Sequence, residues 1–148
     1  MTQSIRMSDL PEYIILDFET TGLDPKKDEI IEIGAIHVKG LNKLSVFHTL
    51  VKPNQKVPKV IEELTGITQD MLVDAPAFEE VAASFAEYLG EYPIVAHHSA
   101  LEQSFLDVHL SPKVGGRIFH VENSIDAFAM GLPEHSSHSM ESLRVFFK

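Results

Sequence analysis

Asp17 and Glu19 are carboxylates separated by one residue, at the end of the apolar run Tyr13-Ile14-Ile15-Leu16. If that run is a strand, residues two apart share a face and the two acids project side by side. Like charges crowded against a core disfavour their ionised forms and raise at least one pKa, unless a cation lies between them. A hard divalent ion such as Mg²⁺ or Mn²⁺ resolves the repulsion, because it takes carboxylate, water and phosphate oxygens as ligands. Thr20-Thr21-Gly22 then adds hydroxyls and a backbone without a Cβ, where a phosphate or terminal sugar could approach closely. These residue types point to metal-assisted chemistry at a nucleic-acid end. Taken alone, the pair has a second reading, as strand-end acids facing water before an ordinary turn from Gly22 to Asp28.

The elements that must hold these acids are read from pattern. Tyr13 to Leu16 reads as strand one, Glu29 to Lys39 as a β-branched strand two, and Leu44 to Val51 as strand three, joined by turns at Gly22–Asp28 and Gly40–Lys43 into a meander. Pro58 to Leu64 forms a short helix that stops at Gly66, and Thr68 reads as an N-cap. Asp74-Ala75-Pro76 starts a helix whose apolar face is Phe78, Val81, Ala82, Phe85 and Leu89. Pro93 to His97 is a short strand, Ala100 to Leu110 a helix stopped by Pro112, and Arg117 to Val121 a last strand. A helix from Ile125 to Gly131 and another capped by Ser139 close the chain. The expected fold class is α/β, a mixed sheet flanked by helices.

Length suits one domain with a proper core: 148 residues, 44% of them hydrophobic. With no cysteine in the sequence, a metal must be held by oxygen or by histidine nitrogen. Neither a signal-peptide core nor a membrane-length apolar run occurs, which suggests a cytoplasmic protein without a membrane partner. The net charge of −10 opposes phosphate binding. Bound cations would reverse the sign locally, and the balance implies weak intrinsic affinity and delivery to substrate by a larger assembly.

The string Asp17-Phe18-Glu19-Thr20-Thr21-Gly22-Leu23-Asp24-Pro25 resembles the first exonuclease motif of the DnaQ-like DEDD superfamily of 3′ to 5′ exonucleases. Thr65-Gly66-Ile67-Thr68 is similar to an element that lies near the bound 3′ terminus in that family, although a helix stop followed by an N-cap explains it equally. Val95-Ala96-His97-His98-Ser99-Ala100-Leu101-Glu102, with Phe105-Leu106, resembles the second motif. Inside it His98 replaces asparagine, Ser99 replaces alanine, and Glu102 stands where the family has a metal-site aspartate. Adjacent strand residues point to opposite faces, so His97 and His98 are not expected to share an ion, and His97 is assigned a structural hydrogen bond. The third motif, with a general-base histidine and a last carboxylate, is missing. His138 is followed five residues later by Leu143 instead of aspartate, and Asp126 reads as a structural cap.

The resemblance implies a ribonuclease H-like sheet, a three-stranded antiparallel meander plus parallel strands, and two divalent ions, Mg²⁺ or Mn²⁺. It assigns Asp17, Glu19 and Glu102 as catalytic metal ligands. Phe18, Thr20, Thr21, Gly22, Leu23, Thr65, Gly66 and Ile67 become substrate-binding residues, with Leu23 packing on the terminal base or sugar. The implied function is a 3′ to 5′ exonuclease acting on single-stranded nucleic-acid ends, DNA in preference, within a polymerase or helicase assembly. Residues 1 to 148 would then be one exonuclease-like domain, incomplete at its C-terminus and weakly active by itself. The alternative is a catalytically degenerate binding module, for example at the N-terminus of a DinG-type helicase.

Overall fold

The computed structural model describes residues 11–123. Five strands form one sheet in the order β3-β2-β1-β4-β5: β1 (Glu12–Thr20), β2 (Ile30–Lys39), β3 (Asn42–Leu50), β4 (Ile94–Ala96) and β5 (Val121–Asn123). The first three are the antiparallel meander, and β4 and β5 join parallel to β1. Three helices accompany them: α1 (Lys59–Thr65), α2 (Phe78–Leu89) and α3 (Ser99–Phe105). This is the mixed ribonuclease H-like arrangement that the motifs implied.

Alternation along β1 sends its side chains into two separate core clusters. Ile14, Leu16 and Phe18 face α2 and α3, where they pack with Phe85, Leu89, Phe105, Leu106 and Leu110. Tyr13 and Ile15 face the other way, onto Ile36, Val38 and Val95. Asp17 and Glu19 continue this second row. The strand that carries them is longer than its apolar run: β1 extends to Thr20, because β2 supplies ladder partners that far, Asp17 opposite Gly34 and Glu19 opposite Glu32. The acids therefore lie within a strand and not beyond its end.

Other boundaries move for local reasons. The helix expected to reach Leu110 ends at Phe105 and widens into a π turn, Leu106–Leu110. Pro112 then sits inside a 3-10 turn, Ser111–Val114, where its missing N–H costs no bond, so it does not mark the stop. The last strand starts at Val121 and not at Arg117, since among the described residues only Val121 to Asn123 find partners on β4. α2 begins at Phe78, where the Glu80 carboxylate accepts the Ala77 amide at 2.8 Å. The expected helix from Ile125 to Gly131 and the one capped by Ser139, together with Asp126, His138 and Leu143, lie outside the described residues. No helix among the described residues is long and apolar enough to cross a membrane.

Candidate active site

Glu102 reaches the two β1 acids because β4 stops short. The Ile14 amide donates to the Pro93 carbonyl at 2.8 Å across the β1 and β4 seam. Phe18, four residues on, presents its amide to the same edge, but β4 has ended at Ala96. Glu102, in the first turn of α3, fills the opening and accepts the Phe18 N–H through Oε1 at 3.5 Å. Its residue is 2% exposed, and its second oxygen, Oε2, is buried without a hydrogen-bond partner. An ionisable oxygen so placed is costly unless a proton or a cation meets it.

The electrostatics arise from that crowding. Burial pushes the Asp17 carboxyl up to about 8 from an ordinary 3.8, and the charges of Glu102, Glu19 and Glu32 push it the same way. Burial likewise raises Glu102 to about 7, and Glu19 adds to the shift, while the backbone amide of Glu102 itself, the Phe18 amide and a hydrogen bond from the Asp17 carboxyl act against it. At neutral pH without a cation the pair keeps protons that exposed carboxyls would have lost.

A fourth carboxylate belongs to this group. Glu32 lies directly opposite Glu19 on the ladder, is 5% exposed, and pairs with His48 Nε2 at 3.0 Å. Residues directly opposite on an antiparallel pair share a face. The available signal was a single acid interrupting the isoleucines of Ile30-Ile31-Glu32-Ile33, on the alternation phase of a buried strand.

The expected substrate-binding residues divide into two sets. Thr20, Thr21 and Gly22 lie at the end of β1 and in the loop after it. Thr20 Oγ1 donates to the Gly22 carbonyl at 2.6 Å, and Thr21 Oγ1 accepts the Glu29 amide at 2.9 Å and donates to Asp28 Oδ1 at 3.4 Å. Gly22 is required by space: a Cβ there would lie 2.3 Å from Asp28 Oδ2. Leu23 projects outward, 80% exposed. The Phe18 side chain points away from the acids into the core, edge-on to Phe85, so only its backbone faces the site.

Thr65, Gly66 and Ile67 end α1. Gly66 adopts φ +75°, Thr65 Oγ1 donates to Ile61 and accepts the Ile67 amide, and Ile67 is buried with Ile31 and Leu50. Leu50 is the ladder partner of Glu32, so this segment backs the Glu32 end of the sheet. His97 and His98 come after β4 in a turn, both exposed, with ring centroids 4.6 Å apart. The opposite-face argument fails for them because the strand ends at Ala96. No hydrogen bond holds the His97 ring among the described residues, so the expected structural role is not met there.

The donors suit a hard cation: carboxylate oxygens from two strands and a helix, one of them buried and unpartnered. Among the described residues, no three His, Asp or Glu side chains are already gathered around a single ion position. A cavity of about 550 Å³ lies at the opposite end of the sheet, between Tyr92, Arg117 and His120, and contains none of the four acids.

The chain is similar to known proteins in sequence and in fold. The chain is 43% identical over 103 residues to a PolC-type DNA polymerase III of Thermotoga maritima, and 34% identical over 145 residues to that of Bacillus subtilis. These alignments cover 70% and 93% of the chain but only 8% and 10% of the relatives. Among solved structures, E. coli Exonuclease I in complex with a 5cy-dA13 oligonucleotide shares the fold with a TM-score of 0.66 at 14% identity, over 81% of this chain and 29% of that one. An Exonuclease I from Methylocaldum szegediense gives 0.67 at 16% identity, over 81% and 29%. Residues 14–129 match the RNase T exonuclease family, and the chain belongs to that DnaQ-like DEDD group.

Proposed function

We propose that the chain is a divalent-metal-dependent 3′ to 5′ exonuclease domain acting on single-stranded DNA ends, carried within a larger polypeptide or replication assembly. The observation that supports it best is the convergence of Asp17 and Glu102, two carboxyls held near neutral pKa values at the end of β4, with one buried oxygen left unpartnered. Asp17, Glu19 and Glu102 would hold two ions, Mg²⁺ or Mn²⁺, and Glu32 would support them from the next strand. Bound there, such ions supply an activated water and neutralise charge on a phosphodiester.

The chain's own residues do the rest. The acids must lose their protons as cations arrive, which ties affinity to pH. Thr20, Thr21 and Gly22 offer a backbone close to the terminal phosphate, and Leu23 offers an apolar surface to the last base or sugar. Thr65 to Ile67 hold the Glu32 end of the sheet in place. The preference for DNA, and the placement within a longer protein, rest on the PolC-type DNA polymerase III relatives, of which the chain spans about a tenth.

The test uses the native polypeptide that contains this chain, with a 5′-labelled single strand and Mn²⁺. Stepwise shortening from the 3′ end is expected for wild type and not for Asp17→Asn, with an RNA strand of the same sequence degraded more slowly. Equal shortening by both proteins, or cleavage starting from the 5′ end, would overturn the reading.

A further inference from the structure

Outside the carboxylates, one side chain joins the two halves of the site. His109, in the π turn after α3, places Nε2 2.8 Å from the Pro25 carbonyl and 3.1 Å from the Asp28 carbonyl. Both oxygens can only accept, so Nε2 carries a hydrogen and shares it between them. The ring is held on two further sides. It stacks on Phe105 at 5.5 Å and 13°, and meets Phe78 edge-on at 6.1 Å. Phe105 is fully buried and lies three residues beyond Glu102 on the same helix.

On the loop side, Asp28 passes this hold onward. Its amide donates to the Asp24 carbonyl at 2.7 Å, its Oδ2 accepts the Asp24 amide at 2.9 Å, and its Oδ1 accepts the Thr21 hydroxyl. The same carboxylate fills the space that a side chain at Gly22 would need. A continuous set of contacts thus runs from the helix of Glu102, through Phe105, His109 and Asp28, to Thr21 and Asp24, the residues that flank Gly22 and Leu23. π turns interrupt helices at functional positions more often than chance, and here the turn carries the histidine that reaches the loop.

We propose that His109 is a positioning residue that fixes the loop of residues 21 to 28 against the helix bearing Glu102, and so sets the grip on the terminal nucleotide without touching it. This rests on the function proposed above. It acts on binding of the nucleic-acid end and leaves the carboxylates' hold on metal unchanged.

The experiment compares wild type with His109→Phe, which keeps an aromatic ring but removes the donor, and with His109→Gln, which restores a donor. Each native polypeptide is titrated with a 5′-fluorescein-labelled 12-nucleotide single strand in Ca²⁺, read by anisotropy, and with Mn²⁺ alone by calorimetry. His109→Phe should weaken oligonucleotide binding about tenfold, as expected for a lost hydrogen bond of ordinary strength. His109→Gln should recover most of that, and Mn²⁺ affinity should match wild type in both. If His109→Phe does not fold, His109→Met takes its place as an apolar filler without a donor.

Wild-type affinity in the donor-free variant would overturn the proposal, as would equal losses in the donor-free and glutamine variants. An Asp17→Asn arm separates the role of His109 from the proposed function. If Asp17→Asn loses Mn²⁺ and oligonucleotide while His109→Phe keeps both, only the role of His109 falls. If wild type itself binds no oligonucleotide, the proposed function falls with it.

Discussion

Replacing Asp17 by asparagine should make the metal-free protein more stable at neutral pH. In the unfolded chain the carboxyl ionises near 3.8, and in the folded protein near 8. Between those values the folded state holds a proton that the unfolded state has released, so stability is fullest below about pH 4 and falls as pH rises toward 8. At pH 7 the gap from 3.8 is about three pKa units, and at 1.36 kcal/mol per unit the ceiling is about 4 kcal/mol. Glu102 carries part of the same repulsion, which brings the expected relief to the order of 3 kcal/mol. For a chain of this length that is a rise of roughly 10 °C in Tm. Asparagine suits the site because its amide can donate where the protonated acid would have donated. The assay is a thermal melt of both proteins in EDTA at pH 4 and pH 7. A rise at pH 7 that shrinks toward zero at pH 4 is expected, and an equal or lower Tm for the variant at pH 7 would refute the reasoning.

Other substitutions test other contacts. Gly22→Ala forces the Asp28 carboxylate from its bonds to Asp24 and Thr21, and should cost about 1 to 3 kcal/mol in urea melts, with part recovered when Asp28→Ala is added. Additive losses would show that the clash is not with Asp28. Glu32→Gln should weaken Mn²⁺ binding about tenfold or more, because it removes a buried charge opposite Glu19, as titration by electron paramagnetic resonance would read. Unchanged affinity would place Glu32 outside the site.

How far the sequence carried the structure is clearest at single residues. The pairing of Asp17 with Glu19 was legible because strand alternation has a fixed period, and the first motif placed the loop after it. What the period could not show was distance in three dimensions. Glu32 joins the acids through ladder register and Glu102 through the early end of β4, and neither is written in any local pattern. Glu102 itself was legible only through the second motif. His109 carried no local signal, since its partners are two backbone carbonyls more than 80 residues away. Helix periodicity ran through Leu106 to Leu110 without registering the π turn, which changes hydrogen bonding while keeping the apolar spacing.

Burial, with mutual repulsion added, makes Asp17 and Glu102 hold protons more tightly than exposed carboxyls do, and the proposed function requires a cation to take the place of those protons. Calorimetric titration of Mn²⁺ at pH 7, repeated in two buffers of different ionisation enthalpy, measures both the affinity and the protons released. Wild type should bind Mn²⁺ and release about one proton or more as Asp17 and Glu102 ionise, and Asp17→Asn should lose most of both signals. Binding of the same strength in Asp17→Asn, or binding with no proton released, would contradict the account.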